Sequence, residues 1–164
     1  MAIESDSALL PRCLRAAASL TCIIAASLML TARERRIYEE YLVHVYFGDL
    51  AAYWCFVFAN YTVAIYSALA ILLPAKSQLW RFLVALDGIL VVILSSSCSA
   101  ALAVALLERN GSLHSGWSPI CHVVSFYCLR LFLAAGFGFV AVIIYVMLHL
   151  LSIQAALNSF LVDS

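Results

Sequence analysis

The sequence predicts an all-α fold, an integral membrane four-helix bundle, from three observations. Of the 164 residues, 66 % are hydrophobic and 11 % charged, against roughly 45–50 % and about 25 % in a soluble domain. Mean hydropathy is +1.05. The charges are unevenly spread and leave four apolar charge-free runs, 16–32, 50–75, 88–107 and 131–162, each at least 17 residues long, while a fifth charge-free stretch, 110–129, is rich in Asn, Gly, Ser, His and Pro and reads in its first half as a loop. A spanning helix needs about 20 mostly apolar residues, within a range of roughly 17–25, so four runs give four spans. A membrane barrel would show short alternating segments instead. The nine basic and nine acidic residues cancel, which removes the basic patch that a nucleic-acid partner requires.

The elements follow in order. Residues 1–13 form an N-terminal tail. Helix 14–31 has an apolar core too long for a removable signal peptide, and Glu4 and Asp6 spoil the basic start such a peptide needs. Residues 32–49 read as a loop, polar at first and rich in Tyr. Helix 50–73 ends where Pro74 removes a ladder donor and restricts its predecessor. The short loop 74–81 makes helix 82–107 an antiparallel neighbour of the one before. Loop 108–125 carries Asn, Gly, Ser and Pro punctuation. Helix 126–153 and a tail, 154–164, complete the chain.

Four spans put both termini on one side. Arg12, Arg15, Lys76 and Arg81 lie on the terminal side, against Arg33, Arg35, Arg36, Arg109 and Arg130 on the other, so basic loop residues do not choose the orientation. Asn110-Gly111-Ser112 is a glycosylation sequon, and Cys121 and Cys128 are a pair able to oxidise outside the cell. Both favour an extracellular 108–125 and cytoplasmic termini.

Ionisable residues within spans are functional candidates by default. Arg15 and Asp87 are the two clear cases. Arg15 lies 18 residues, about 27 Å of helix, before Arg33, and Asp87 lies 21 residues, about 32 Å, before Glu108. Their depths thus agree within about 5 Å, close enough for a bidentate Arg–carboxylate contact. The alternatives are an Arg15 that snorkels to the interface and an Asp87 that pairs with Arg81 or Lys76 or is protonated. Small residues at helical spacing mark packing faces: Ala18, Ser19, Cys22, Ala26 and Met29; Tyr53, Ala64 and Ser67 around Asn60; Ser95, Ser99 and Ala103; Ala134, Gly138 and Ala141. Asn60 reads as an interhelical hydrogen bond.

Six cysteines are present. Cys13, Cys22, Cys55 and Cys98 read as buried thiols. On an unbroken helix Cys121 and Cys128 would stand about 10 Å apart, beyond the roughly 4.4–6.8 Å of a disulfide, so a bridge requires the segment to bend. No Cys-x-x-Cys motif, phosphate loop or Ser/His/Asp constellation is found. His44, His114, His122 and His149 lack metal-ligand spacing. The sequence therefore implies no enzyme, metal or cofactor.

The order of certain residues resembles the Casparian-strip membrane-domain proteins of plants, and more closely their CASP-like relatives, a group distantly similar to MARVEL proteins. The resemblance runs through Cys13-Leu14-Arg15, Phe58-Ala59-Asn60, Tyr66, Leu73-Pro74, Leu86-Asp87 and the small run 95–103. Its most specific stretch is Trp117-Ser118-Pro119-Ile120-Cys121 followed by Phe126-Tyr127-Cys128-Leu129-Arg130, like the family's second extracellular loop. It implies a plasma-membrane protein in the lipid bilayer, with homo- and hetero-oligomers of related CASP-like proteins as partners. It also implies a scaffold that recruits cell-wall-modifying enzymes. The first loop, Arg33-Glu34-Arg35-Arg36-Ile37-Tyr38-Glu39-Glu40-Tyr41, departs from the short motif of the strip-building members, so a CASP-like scaffold is the expectation. Two further readings stay open: a small transporter or channel subunit using Asp87, and a claudin- or tetraspanin-like adhesion protein.

Overall fold

A computed structural model describes the backbone of residues 2–38, 41–72, 80–112 and 114–162, and the side chains of 9–37, 42–72, 82–112 and 114–155. Four long helices dominate: α1 (Ala2–Leu30), α2 (Ala51–Leu72), α3 (Trp80–Asn110) and α4 (Ser125–Val162). Each contains a segment long and apolar enough to cross a bilayer: Leu9–Leu30, Ala51–Leu72, Phe82–Asn110 and Ser125–Ala155.

Two helices run well past the ends that hydrophobicity predicts, and α3 runs past both of its predicted ends by two to three residues. α1 begins at Ala2 rather than residue 14, and α4 ends at Val162 rather than 153. The extensions are polar or mixed segments, which an apolar run does not register. Pro11 lies inside α1; it removes one ladder donor but does not end the helix. The predicted stop at Leu73-Pro74 and the loop 74–81 lie outside the described residues.

The segment 32–49, read as a loop, contains a two-stranded antiparallel hairpin, β1 (Arg33–Tyr38) and β2 (Tyr41–Tyr46), then a single 3-10 turn, Phe47–Asp49. The register pairs Arg33 with Tyr46, Arg35 with His44 and Ile37 with Leu42 on one face, and Glu34 with Val45 and Arg36 with Val43 on the other. Val43 and Val45 pack on the core, while Ile37 and Leu42 are exposed. Strand β2 (Tyr-Leu-Val-His-Val-Tyr) has the β-branched and aromatic composition of a strand. Strand β1 is mostly charged, and Glu39-Glu40 lacks the Asn-Gly or Asp-Gly signal of a short hairpin, so the pair did not announce itself.

Contacts run α1 to α2, α2 to α3, α3 to α4, and α4 back to α1. Helices α1 and α3 therefore stand at opposite corners, as do α2 and α4. Within lipid, packing and interhelical hydrogen bonds hold helices together, and small residues let them approach. Ala18, Cys22, Ala26 and Met29 of α1 are buried, as are Ala134, Gly138 and Ala141 of α4. A Cβ on Gly138 would lie 2.8 Å from Cys98 Sγ and 2.9 Å from Phe56 Cε2; the missing side chain is what lets α4 meet α2 across the diagonal. The α3 face differs from the predicted one. Ser99 and Ala103 are exposed, and the buried side is Asp87, Leu94, Cys98, Ala101 and Ala105. The small residues Cys98, Ala101 and Ala105 do line the bundle, but on a face turned away from Ser99 and Ala103.

Candidate functional site

Polar side chains inside the bundle form two layers, one toward the end that carries the chain termini, the inner layer, and one toward the end that carries the hairpin, the outer layer. In the inner layer Arg15 Nη2 donates to Asp87 Oδ2 at 2.7 Å, and Nη1 donates to Oδ1 at 3.2 Å. Asp87 is 0 % exposed and Arg15 5 %. The contact joins α1 to α3 across the bundle diagonal. The guanidinium lies over the Tyr66 ring, 5.8 Å from its centroid, and the Tyr66 hydroxyl donates to Leu83 O. At the next position of α2, Ser67 Oγ donates to Val63 O and is in hydrogen-bond contact with the Tyr145 hydroxyl of α4. Both diagonals are thus tied at this level. The alternative partners of Asp87, Arg81 and Lys76, lie outside the residues whose side chains are described.

Asn60 is completely buried, but its Nδ2 donates to Phe56 O in its own helix, and among the described residues its Oδ1 has no partner. The expected interhelical bond is corrected accordingly: an Asn can return to the carbonyl four residues back, and sequence alone cannot distinguish the two. Of the four cysteines read as buried thiols, Cys22 and Cys98 are buried and Cys13 and Cys55 are exposed.

The outer layer was not foreseen. Glu108, 5 % exposed, accepts a hydrogen bond from Tyr53 Oη of α2 at 2.7 Å and another from Tyr127 Oη of α4 at 3.3 Å. One carboxylate thereby joins three helices. In the sequence it reads as the charge that ends a span, and nothing distant along the chain marks its two tyrosines.

Above this layer Cys121 and Cys128 are bridged, with Cα atoms 5.6 Å apart. The bend that a bridge requires is present: residues 121–123 form a turn and α4 starts at Ser125. The first two turns of α4 are held from other elements too. Glu34 Oε2 of β1 accepts the Tyr127 N–H at 2.9 Å, serving one of the donors that a helix start leaves unpaired. Arg130 Nη1 donates to Thr31 O at the end of α1. Burial works to raise the Glu34 carboxyl, but the Arg36 side chain at 2.8 Å and the α4 N–H groups outweigh it and hold it below the ordinary range. Trp117 pairs with Ser112 in an isolated bridge and is partly exposed, and Phe126 is exposed. Asn110 is the last residue of α3, exposed. Arg33, Arg35, His44 and Tyr46 line an open hollow of about 480 Å³ on the outward hairpin face, with Glu34 at its edge.

A four-span membrane bundle with a buried Arg–Asp pair between its first and third helices, and a disulfide-bent outer loop, defines the class. The chain matches the Casparian strip membrane protein domain over residues 4–144. It is 41 % identical over 150 residues to CASP-like protein 1C1 of Arabidopsis thaliana, covering 92 % of each chain. It is 39 % identical over 153 residues to CASP-like protein 1C3 of Populus trichocarpa, covering 93 % of this chain and 88 % of the relative. No solved structure matches it. The chain belongs to the Casparian strip membrane protein domain family, as a CASP-like membrane protein.

Proposed function

We propose that this CASP-like protein is a non-enzymatic scaffold of the plasma membrane, whose homo- and hetero-oligomers organise a membrane domain and the local modification of the cell wall beside it. Both termini lie in the cytosol, and the hairpin and residues 111–124 lie outside, with Asn110 as a glycosylation acceptor. The observation that carries the reading is the bidentate Arg15–Asp87 contact. It engages these two buried charges of opposite sign with each other and ties opposite corners of the bundle, which suits a rigid assembly unit. A transporter would need Asp87 available to a cation or proton. Photobleaching of the fluorescently tagged protein in plant cells tests this directly. Discrete patches that recover over many minutes are expected, whereas free diffusion as a monomer would overturn the scaffold.

A further inference from the structure

We propose that the outer edge of β2 is a self-pairing edge, through which two copies of this chain join side by side in one bilayer; the proposal rests on the oligomeric reading above. The backbone supplies the first argument. Tyr46 N–H donates to Asp49 Oδ2, outside the sheet, and Phe47 N–H donates to Ala32 O. Arg33 and Tyr46 are therefore a non-hydrogen-bonded pair, and the antiparallel alternation puts Arg35–His44 and Ile37–Leu42 in the same class. The N–H and C=O groups of Leu42 and His44 consequently point away from β1. Among the described residues none of them has a hydrogen-bond partner. Such a row is a template for another strand.

Charge selects the edge and the occupant. The β1 edge reads Arg33-Glu34-Arg35-Arg36, and self-pairing there would set arginines against arginines. The β1 side is also engaged with α4 through Glu34. The β2 strand carries no Asp, Glu, Lys or Arg, so a second copy meets it without opposed charge. In an antiparallel match, Leu42 of one copy exchanges bonds with His44 of the other, and the two Val43 residues face each other on the two-fold axis.

The match also fixes the relative placement of the two bundles. Directly opposed residues in a sheet project to the same face. The faces carrying Val43 and Val45, which pack on the core, then lie on one side of the joined sheet. Both bundles lie on that side, in the same membrane. The exposed Leu42, 69 % accessible, becomes a diagonal neighbour of its counterpart across the seam, with the exposed Ile37, 78 % accessible, beside it on β1. A six-residue edge buries far less than the roughly 1,200 Å² of a stable soluble dimer. Two chains anchored in one bilayer meet at a high effective concentration, which a short edge needs.

Energy transfer between donor- and acceptor-labelled full-length protein in phosphatidylcholine vesicles, diluted stepwise with lipid, reads the pairing. His44→Pro removes an outward N–H that the hairpin itself does not use, as edge strands permit, and deletes two of the four intermolecular bonds. It is expected to require about a tenfold higher protein-to-lipid ratio for the same transfer. Leu42→Pro should act alike. Arg35→Pro makes the same change on the β1 edge and should match the wild type. Transfer unchanged in His44→Pro and Leu42→Pro, or equally lost in Arg35→Pro, overturns the edge assignment while leaving the oligomer intact as a reading. A wild type with no transfer at all overturns both. A synthetic peptide of residues 41–46 should compete, and an unrelated uncharged strand peptide competing equally would overturn the second copy as the occupant.

Discussion

Asp87 and Glu108 are buried acids that the bundle satisfies in different ways. Asp87 has a cation, Arg15, in bidentate contact. Removing one partner strands the other charge in a low dielectric, at a cost of about 3–5 kcal/mol. Arg15→Ala and Asp87→Asn should each lower the midpoint of thermal unfolding in detergent, and the exchange Arg15→Asp with Asp87→Arg should restore much of the loss. Glu108 has two tyrosine hydroxyls. Glu108→Leu leaves both hydroxyls without their acceptor, at about 1–3 kcal/mol each, whereas adding Tyr53→Phe and Tyr127→Phe should recover most of that stability. Scanning fluorimetry of the single and triple variants decides it: a triple variant no better than Glu108→Leu would mean the carboxylate does more than accept these bonds. Arg15 and Asp87 were legible in the sequence because helical rise converts residue spacing into depth, and a charge inside a span stands out. Glu108 was not, because an acid at a span end ordinarily meets water, and only packing shows that two tyrosines from other helices enclose it.

At the scale of elements, the four spans were legible because a continuous apolar run has few other interpretations. The hairpin was not, since its charged first strand lacks alternation and its pairing depends on being laid over the end of the bundle. Its attachment is sensitive to acid. A carboxyl held below its ordinary value of about 4.3 stabilises the docked hairpin above that value, and the contribution disappears as pH falls through the lowered value. The protection factor of the Tyr127 amide should therefore fall in the wild type as pH drops below the ordinary carboxylate range; Glu34→Gln should already show lower protection at neutral pH and a much flatter profile of protection against pH. Gly138 is the matching point between helices. Gly138→Ala places a methyl against Cys98 and Phe56, an overpacking cost of about 1–3 kcal/mol, and Phe56→Leu in the same chain should offset part of it, as read by the unfolding midpoint.

For the whole molecule, the polar layers divide the labour of holding four helices without a strong hydrophobic drive between them. The inner layer ties α1 to α3 and α2 to α4, and the outer layer ties α2, α3 and α4. With those ties inside the bundle, the disulfide has a local duty. Cys121→Ser with Cys128→Ser should raise hydrogen exchange in residues 120–128 several-fold while leaving the amides of the four spans protected; loss of protection across α1 to α3 would show that the bridge holds the bundle itself. The edge of β2 adds a limit of valency. An isologous two-fold contact is used up by one partner, so an array larger than a pair needs a second surface. The lipid-facing groove between α2 and α3, about 620 Å³ and bordered by Cys55, Phe58, Thr62, Ile93, Ser96 and Ala100, is a place where such a surface can be sought by crosslinking.

The first two turns of α4 receive a clip from β1, a strut from Arg130 to the end of α1, and the disulfide from the preceding loop. Mechanically this makes them a shared anchor. A pull on the outer loop is delivered to two transmembrane rods and the hairpin in parallel, so tension from the surroundings is spread over the bundle instead of drawing one helix out along its axis.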